Sequence, residues 1–253
     1  MRDNDLTRDA FLGGRVHVWQ PAKGYRAGTD PVLLAAACPA RSGDRVLELG
    51  CGVGVASLCL ATRVEGASVT GVERQALYAA LAARNADEAA LPLDVVEADI
   101  AQLPAKLREM SFDHVIANPP YFRSAEGTSA QDHGKDAAFR EDTALGVWAD
   151  VARARLKPRG WLTMIQHTDR LPELLAALGG FGSISIRPLQ SRAGRGARRF
   201  LLRARKGGRA PFALLAPVLV HEGEAHRDDG ESYTPELQAV LREAAALGWP
   251  TVR

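Results

Sequence analysis

Between residues 45 and 180, apolar runs of strand length alternate with stretches of helical length, and this alternation constrains the fold more than any other feature. Residues 45–49, 68–72, 94–98, 112–117 and 161–165 read as strands. Helical segments over 75–85, 143–156 and 171–178 lie among or just after them. Strands separated by helices need crossovers, which gives a parallel sheet with helices on both faces. Residues 183–189 and 198–205 then follow with no helix between them, so they are expected to close the sheet as an antiparallel pair. The expected architecture is a Rossmann-like α/β fold with a mostly parallel, seven-stranded sheet. The 253 residues are enough for one such domain. An N-terminal cap and helix would occupy 1–40, the core 41–205, and a C-terminal strand and helix extension 206–253. The run 13–20 alternates like a strand or hairpin arm. Thr234-Pro235 is expected to cap a helix with Leu237, Val240, Leu241, Ala244 and Leu247 on one face.

In open α/β sheets ligands bind beyond the C-terminal strand ends. Four such ends carry chemistry here. Strand 45–49 runs into Gly50-Cys51-Gly52-Val53-Gly54 and a helix, a loop that lets a ligand approach the helix N-terminus closely. Val55 stands where the dinucleotide fingerprint requires its third glycine, so that fingerprint is absent. The next strand ends in Glu73, placed either to grip ribose hydroxyls or to cap the following helix. The third ends at Asp99-Ile100. The carboxylate there either accepts from an adenine amino group, with Ile100 covering the ring, or closes an Asx-turn. The fourth is stopped by Asn118-Pro119-Pro120-Tyr121, because proline cannot donate to a sheet ladder. That corner suits a planar NH2 group. The Asn118 side-chain oxygen and the Pro119 carbonyl can accept its two protons, while Tyr121 stacks on the attached π-system.

Upstream, Asp30 reads as an N-cap with Pro31 at the first helical position, although Tyr25-Arg26 before it could lie over a ligand. Residues 122–142 are polar and read as a mobile loop beside the site. The net charge of +2 conceals a biased distribution. Arg187, Arg192, Arg195, Arg198, Arg199, Arg203, Arg205, Lys206 and Arg209 share one stretch that contains no acid, which favours phosphate contact over a merely solvated edge. The N-terminus is too charged for a signal peptide, and the longest apolar run is too short to span a membrane. Cys38, Cys51 and Cys59 lack metal-ligand spacing and fit reduced thiols in a cytoplasm, so neither zinc nor a disulfide is expected. No metal and no membrane partner is expected.

Taken in order, Glu48-Leu-Gly-Cys-Gly-Val-Gly54, Glu73, Asp99 and Asn118-Pro-Pro-Tyr121 resemble a class I S-adenosylmethionine-dependent methyltransferase. The likeness covers about residues 25–205. The Asn-Pro-Pro-Tyr corner is similar to that of enzymes that methylate amino groups of adenine, guanine or glutamine amides. The segments Tyr25-Arg-Ala-Gly-Thr-Asp30, Phe139-Arg-Glu-Asp-Thr and Glu231-Ser-Tyr-Thr-Pro-Glu236 resemble the bacterial valine-tRNA adenine-N6 methyltransferases, from which the arginine density over 192–209 departs. The resemblance implies S-adenosyl-L-methionine as cofactor, held by Glu48, Gly50, Gly52, Gly54, Glu73, Asp99, Ile100 and Asn118. It implies catalysis by Asn118, Pro119 and Tyr121. It also implies an RNA partner, in the first place tRNA, contacted by Tyr121, Arg192, Arg195, Arg198, Arg199 and Arg209. The competing readings are a protein glutamine N5-methyltransferase, and an RNA-binding protein that keeps the fold without turnover. The arginines oppose the first, as does the lack of an N-terminal helical domain. The intact Asn118 and Glu73 oppose the second.

Overall fold

The computed structural model describes residues 5–24, 26–123, 140–141, 143–223 and 232–250. Tyr25, Phe139, Asp142, Glu231 and most of the 122–142 loop therefore lie outside the described residues.

The chain opens with a hairpin, β1 (Leu6–Phe11) and β2 (Val16–Pro21), followed by α1 (Thr29–Ala37). The alternating core then runs β3 (Arg45–Leu49), α2 (Val55–Arg63), β4 (Ser68–Glu73), α3 (Ala76–Ala89), β5 (Leu93–Glu97), α4 (Ala105–Glu109) and β6 (Phe112–Ala117). The two-residue strands β7 (Phe122–Arg123) and β8 (Arg140–Glu141) pair in parallel. Next come α5 (Leu145–Arg155), β9 (Leu156–His167), α6 (Leu171–Ala177), β10 (Phe181–Gln190) and β11 (Arg199–Lys206). The chain closes with β12 (Ala213–Leu214), β13 (Val218–Leu219) and α7 (Pro235–Glu243).

The main sheet has the order β12-β10-β11-β9-β6-β3-β4-β5. The pairs β3–β4, β4–β5, β3–β6 and β6–β9 are parallel, and β11 is antiparallel to both β9 and β10. The seven expected strands are all present, and β12 and β13 add short parallel pairings to β10. Consecutive residues of a central strand point into different cores. Val46 and Ile116 join a cluster with Leu33, Leu58, Leu81 and Leu237 from α1, α2, α3 and α7. Leu47 and Val115 join the opposite cluster with Leu107, Trp148 and Leu174 from α4, α5 and α6. Burial on both faces explains why these strands are continuously apolar.

Two expectations are corrected. Asp30 is not the cap of α1: the helix begins at Thr29 after Gly28, and the Asp30 carboxylate makes no capping bond. The expected turn Lys157-Pro158-Arg159-Gly160 lies inside β9 as a bulge. Its pairing with β6 jumps from Phe112↔Leu156 to His114↔Trp161, with Arg159 at φ +66°. Farther on, Thr234 does cap α7, accepting from the Leu237 N–H, and Leu237, Val240 and Leu241 are buried. Ala244 is the left-handed C-cap at φ +60°, so the helix ends there, but Ala244 still packs against the same cluster and Leu247 is buried in it.

Candidate active site

The chain reverses its direction of sheet growth between β3 and β6, which are neighbours with Leu49 opposite Ala117. This is the switch point at which an α/β sheet opens a crevice. Gly50 and Asn118 therefore leave the sheet side by side. A cleft of about 1120 Å³, open mouth included, lies over them. Its walls come from segments far apart in sequence: the α1 approach, the glycine loop with the start of α2, the β4 end with the start of α3, the β5 end at Asp99, the Asn118 to Tyr121 corner, and Trp148 of α5.

The three loop glycines have different duties. At Gly52 (φ +54°) a Cβ would stand in open space, so this residue presents bare backbone to the cleft. A Cβ on Gly50 (φ +67°) would come within 2.7 Å of the Trp148 ring. Gly54 (φ +89°) is the left-handed entry to α2, packed against Leu93 and Ala82, and is not part of the cleft wall. Glu73 binds the loop to the next helix: its Oε2 accepts from the Gly52 N–H at 2.9 Å and its Oε1 from the Gln75 N–H at 2.8 Å. Gln75, not Glu73, is therefore the N-cap of α3, and Glu73 holds that cap residue's N–H while it lines the cleft. Asp99 likewise closes an Asx-turn, Oδ1 accepting from the Ala101 N–H at 2.8 Å, while it borders the cleft beside buried Ile100.

Glu48 is buried beneath the loop and accepts from the Ser57 hydroxyl. Burial pushes its carboxyl up to about 8, against the Ser57 bonds that pull it down. At neutral pH the protein without cofactor therefore keeps Glu48 mostly protonated.

At the Asn-Pro-Pro-Tyr corner the Asn118 Oδ1 is buried and without a hydrogen-bond partner among the described residues. An unpaired buried acceptor costs on the order of 1–3 kcal/mol, so such an atom marks a place built for a missing donor. The Pro119 carbonyl already accepts from the Gln166 Nε2 at 3.2 Å, leaving one lone pair. Gln166 is wholly buried at the end of β9, and its Oε1 accepts from the His167 N–H at 2.7 Å. Sequence reasoning missed it, although a polar residue closing an otherwise apolar strand is a readable signal. Tyr121 lies at the cleft rim, its ring stacked on His167 with centroids 4.2 Å apart and planes at 19°. Burial, the largest cause, holds His167 below the ordinary histidine range, so its ring is uncharged at neutral pH.

The arginines separate into groups. Arg192 is buried, its guanidinium donating to the carbonyls of Glu222 and Gly223 and to Ser232 Oγ, which removes it from the expected phosphate set. Arg187 is buried against Glu236 at 2.9 Å, and Arg203 donates to the Ala37 carbonyl while lying over Trp249. Arg199 donates to Asp30. Arg195 and Arg198 are exposed in the loop between β10 and β11, on the edge that carries the cleft. Arg209 is also exposed, but it follows the far end of β11 and sits at the opposite edge.

The reversed parallel sheet, its glycine loop, the acidic strand ends and the Asn-Pro-Pro-Tyr corner together define a class I S-adenosylmethionine-dependent methyltransferase. The chain belongs to the methyltransferase small domain family, whose family model matches residues 26–178. It is 30% identical over 225 residues to a tRNA1(Val) (adenine(37)-N6)-methyltransferase of Dickeya chrysanthemi, covering 86% of this chain and 87% of the relative. It is 33% identical over 194 residues to the protein of that name from Porphyromonas gingivalis, covering 72% and 74%. Among solved structures, a predicted O-methyltransferase from Agrobacterium tumefaciens superimposes with a TM-score of 0.72 at 29% identity, covering 88% of this chain and 100% of that one. The Thermus thermophilus 16S rRNA N2 G1207 methyltransferase, solved with AdoMet and guanosine, shares the fold with a TM-score of 0.55 at 23% identity, over 79% of this chain and 50% of that one.

Proposed function

We propose that this protein methylates the exocyclic N6 of an adenine in tRNA, with adenine 37 of a valine tRNA as the leading candidate. The observation that carries this reading is the buried Asn118 Oδ1 at the switch point, which has no hydrogen-bond partner among the described residues. Paired with the remaining Pro119 lone pair, it makes a two-acceptor site. Two acceptors match an NH2 group and would repel an alkoxide, so the site favours N- over O-methylation.

S-adenosylmethionine supplies an electrophilic sulfonium methyl when bound, and the cleft fits it. Gly52 leaves room along the loop, where a side chain would project into the cleft. Each Glu73 oxygen, having accepted one backbone N–H, keeps a lone pair for a ribose hydroxyl. Asp99 retains Oδ2 for an adenine amino group, with Ile100 against the ring. Gln166 fixes the Pro119 carbonyl, so the two acceptors are set in place before the substrate enters. Accepting both N–H bonds turns the amino lone pair out of conjugation, while Tyr121 stacks on the base. Such a base must be splayed out of its loop to reach the cleft.

The test is methyl transfer from radiolabelled S-adenosylmethionine to an unmodified tRNA1(Val) transcript, with an A37G transcript, rRNA, DNA and a protein extract alongside. Label confined to the A37 transcript is expected. Label on protein alone would transfer the assignment to a glutamine amide. Asn118→Ala should lower the rate at least about a hundredfold while the cofactor still binds, the scale of losing one positioned polar group.

A further inference from the structure

Tyr121 is held at three points, and only its own corner had a readable sequence signal. Its carbonyl accepts from the Arg170 Nη1 at 3.4 Å. One face of its ring is covered by His167, which is not part of the cleft wall, so the ring stands between His167 and the cleft. Its hydroxyl donates to the Asp30 Oδ2. The other oxygen of Asp30, Oδ1, accepts from the Arg199 Nη1. Asp30 is 9% exposed, and its neighbour Pro31 lines the cleft, so the carboxylate is at the cleft's edge without facing into it. Arg199 in turn pairs directly with His167 in the β11–β9 register, so the residues that hold the ring's edge and face are themselves adjacent.

We infer that Asp30 is a positioning residue for methyl transfer: clamped by Arg199, it fixes the plane in which the Tyr121 ring meets the acceptor base. This rests on the reading of Tyr121 as the stacking platform. A phenol ring can rotate about its Cα–Cβ and Cβ–Cγ bonds, and stacking on a flat base uses only one narrow range of those rotations. The His167 face limits the tilt, and the hydroxyl bond, at the far end of the ring, limits the swing. Asp30 is 91 positions from Tyr121, and Arg199 is 169 from Asp30, so the arrangement exists only in the folded chain.

A purely architectural Asp30–Arg199 pair, tying α1 to the sheet, is the competing account. Tyr121→Phe separates the two, because it removes the hydroxyl and leaves both the ring and the ion pair. Single-turnover transfer to the unmodified tRNA1(Val) transcript is the readout, with S-adenosylmethionine affinity measured in parallel. Tyr121→Phe should slow transfer about tenfold, less than the roughly hundredfold cost of a 1 Å misplacement, at unchanged cofactor affinity. Asp30→Ala should slow it by at least as much, and Asp30→Asn should recover only part of the loss, because its one amide oxygen cannot accept from both Tyr121 and Arg199. The Asp30→Ala/Tyr121→Phe double variant should be no slower than Asp30→Ala alone, since both remove one bond. Wild-type rates in Tyr121→Phe, or losses that multiply in the double variant, would overturn the inference and leave the platform standing. Full activity in Tyr121→Ala, or no transfer to tRNA by the wild type, would instead overturn the functional reading, and the inference with it.

Discussion

Each carboxylate at the cleft is in part a structural group, and this determines what a substitution there reports. Glu73 orders the glycine loop through Gly52 and the start of α3 through Gln75. Its removal should weaken S-adenosylmethionine binding by about 1.5–3 kcal/mol, the range for charge-assisted hydrogen bonds, and calorimetry on Glu73→Ala checks this. Unchanged affinity would remove Glu73 from the cofactor site. Glu48 allows a different test, because its carboxyl is raised from 4.5 to about 8 by burial. The unfolded chain loses this proton near the lower value and the folded chain near the higher. Stability is therefore fully present below about pH 4.5 and declines as pH rises through the window to about 8, on the order of 1 kcal/mol per pH unit. Glu48→Gln has no such proton to lose and still accepts from Ser57. In the absence of cofactor its melting temperature should exceed that of the wild type by more at pH 8 than at pH 5. Parallel melting curves against pH would show that Glu48 ionises normally in its buried place.

At the scale of elements, the repeating pattern of the chain was legible because its cause is local. Burial on both faces makes β3, β4 and β6 apolar, and the paired prolines after Asn118 stop β6 at Ala117. What stayed hidden depends on which segments meet. Asp30 had every local mark of a helix cap, yet its carboxylate is drawn to Tyr121 and Arg199, and Gly28 takes the cap position. Gly54 looked like one more cofactor-facing glycine, but the entry of α2 requires its positive φ and Leu93 fills the space beside it. Gln166 and Trp148 reach the site from β9 and α5 with no motif around them. The helix α7 shows the opposite case, a local signal that also has a distant contact. Thr234 both accepts from the Leu237 N–H and donates to the Leu219 carbonyl at 2.7 Å, so the cap also fastens α7 to β13. Thr234→Ala should cost about 1 kcal/mol, a fall of roughly 2–4 °C in melting temperature for a chain of this size, with cofactor affinity intact. Thr234→Ser should recover most of it. A fall in cofactor affinity in step with stability would mean that α7 supports the cleft directly.

For the whole molecule, the decisive quantity is where positive charge lies relative to the cleft, since a net charge of +2 predicts almost nothing. The basic stretch looked like one patch, but the fold divides it along the length of β11. That strand runs from Arg199, opposite His167 at the cleft edge, to Lys206, beyond the pairing of Arg205 with Trp161. Its 8 residues rise about 3.3 Å each, so the two ends are separated by roughly 25 Å. Arg195 and Arg198 are at the cleft end, whereas Arg209 is near the other, too far to serve a nucleotide held at Asn118. Arg187, Arg192 and Arg203 are turned inward to carboxylate or carbonyl groups. A tRNA whose target base enters the cleft would therefore lay its backbone along the 191–198 loop, with Arg195 and Arg198 neutralising phosphates without reading sequence. The Arg195→Ala/Arg198→Ala variant should bind the unmodified tRNA1(Val) transcript more weakly. Its slope of log affinity against log salt should flatten by about 0.7–0.9 for each phosphate that is no longer neutralised. Arg209→Ala, with the same change in net charge per residue, should leave that slope at the wild-type value, and S-adenosylmethionine affinity should be unaffected in both. If the Arg209 variant flattens the slope as much as one loop arginine does, binding follows overall charge and not the cleft edge. If neither variant changes it, the arginines are a solvated rim, and the RNA is held elsewhere on the chain.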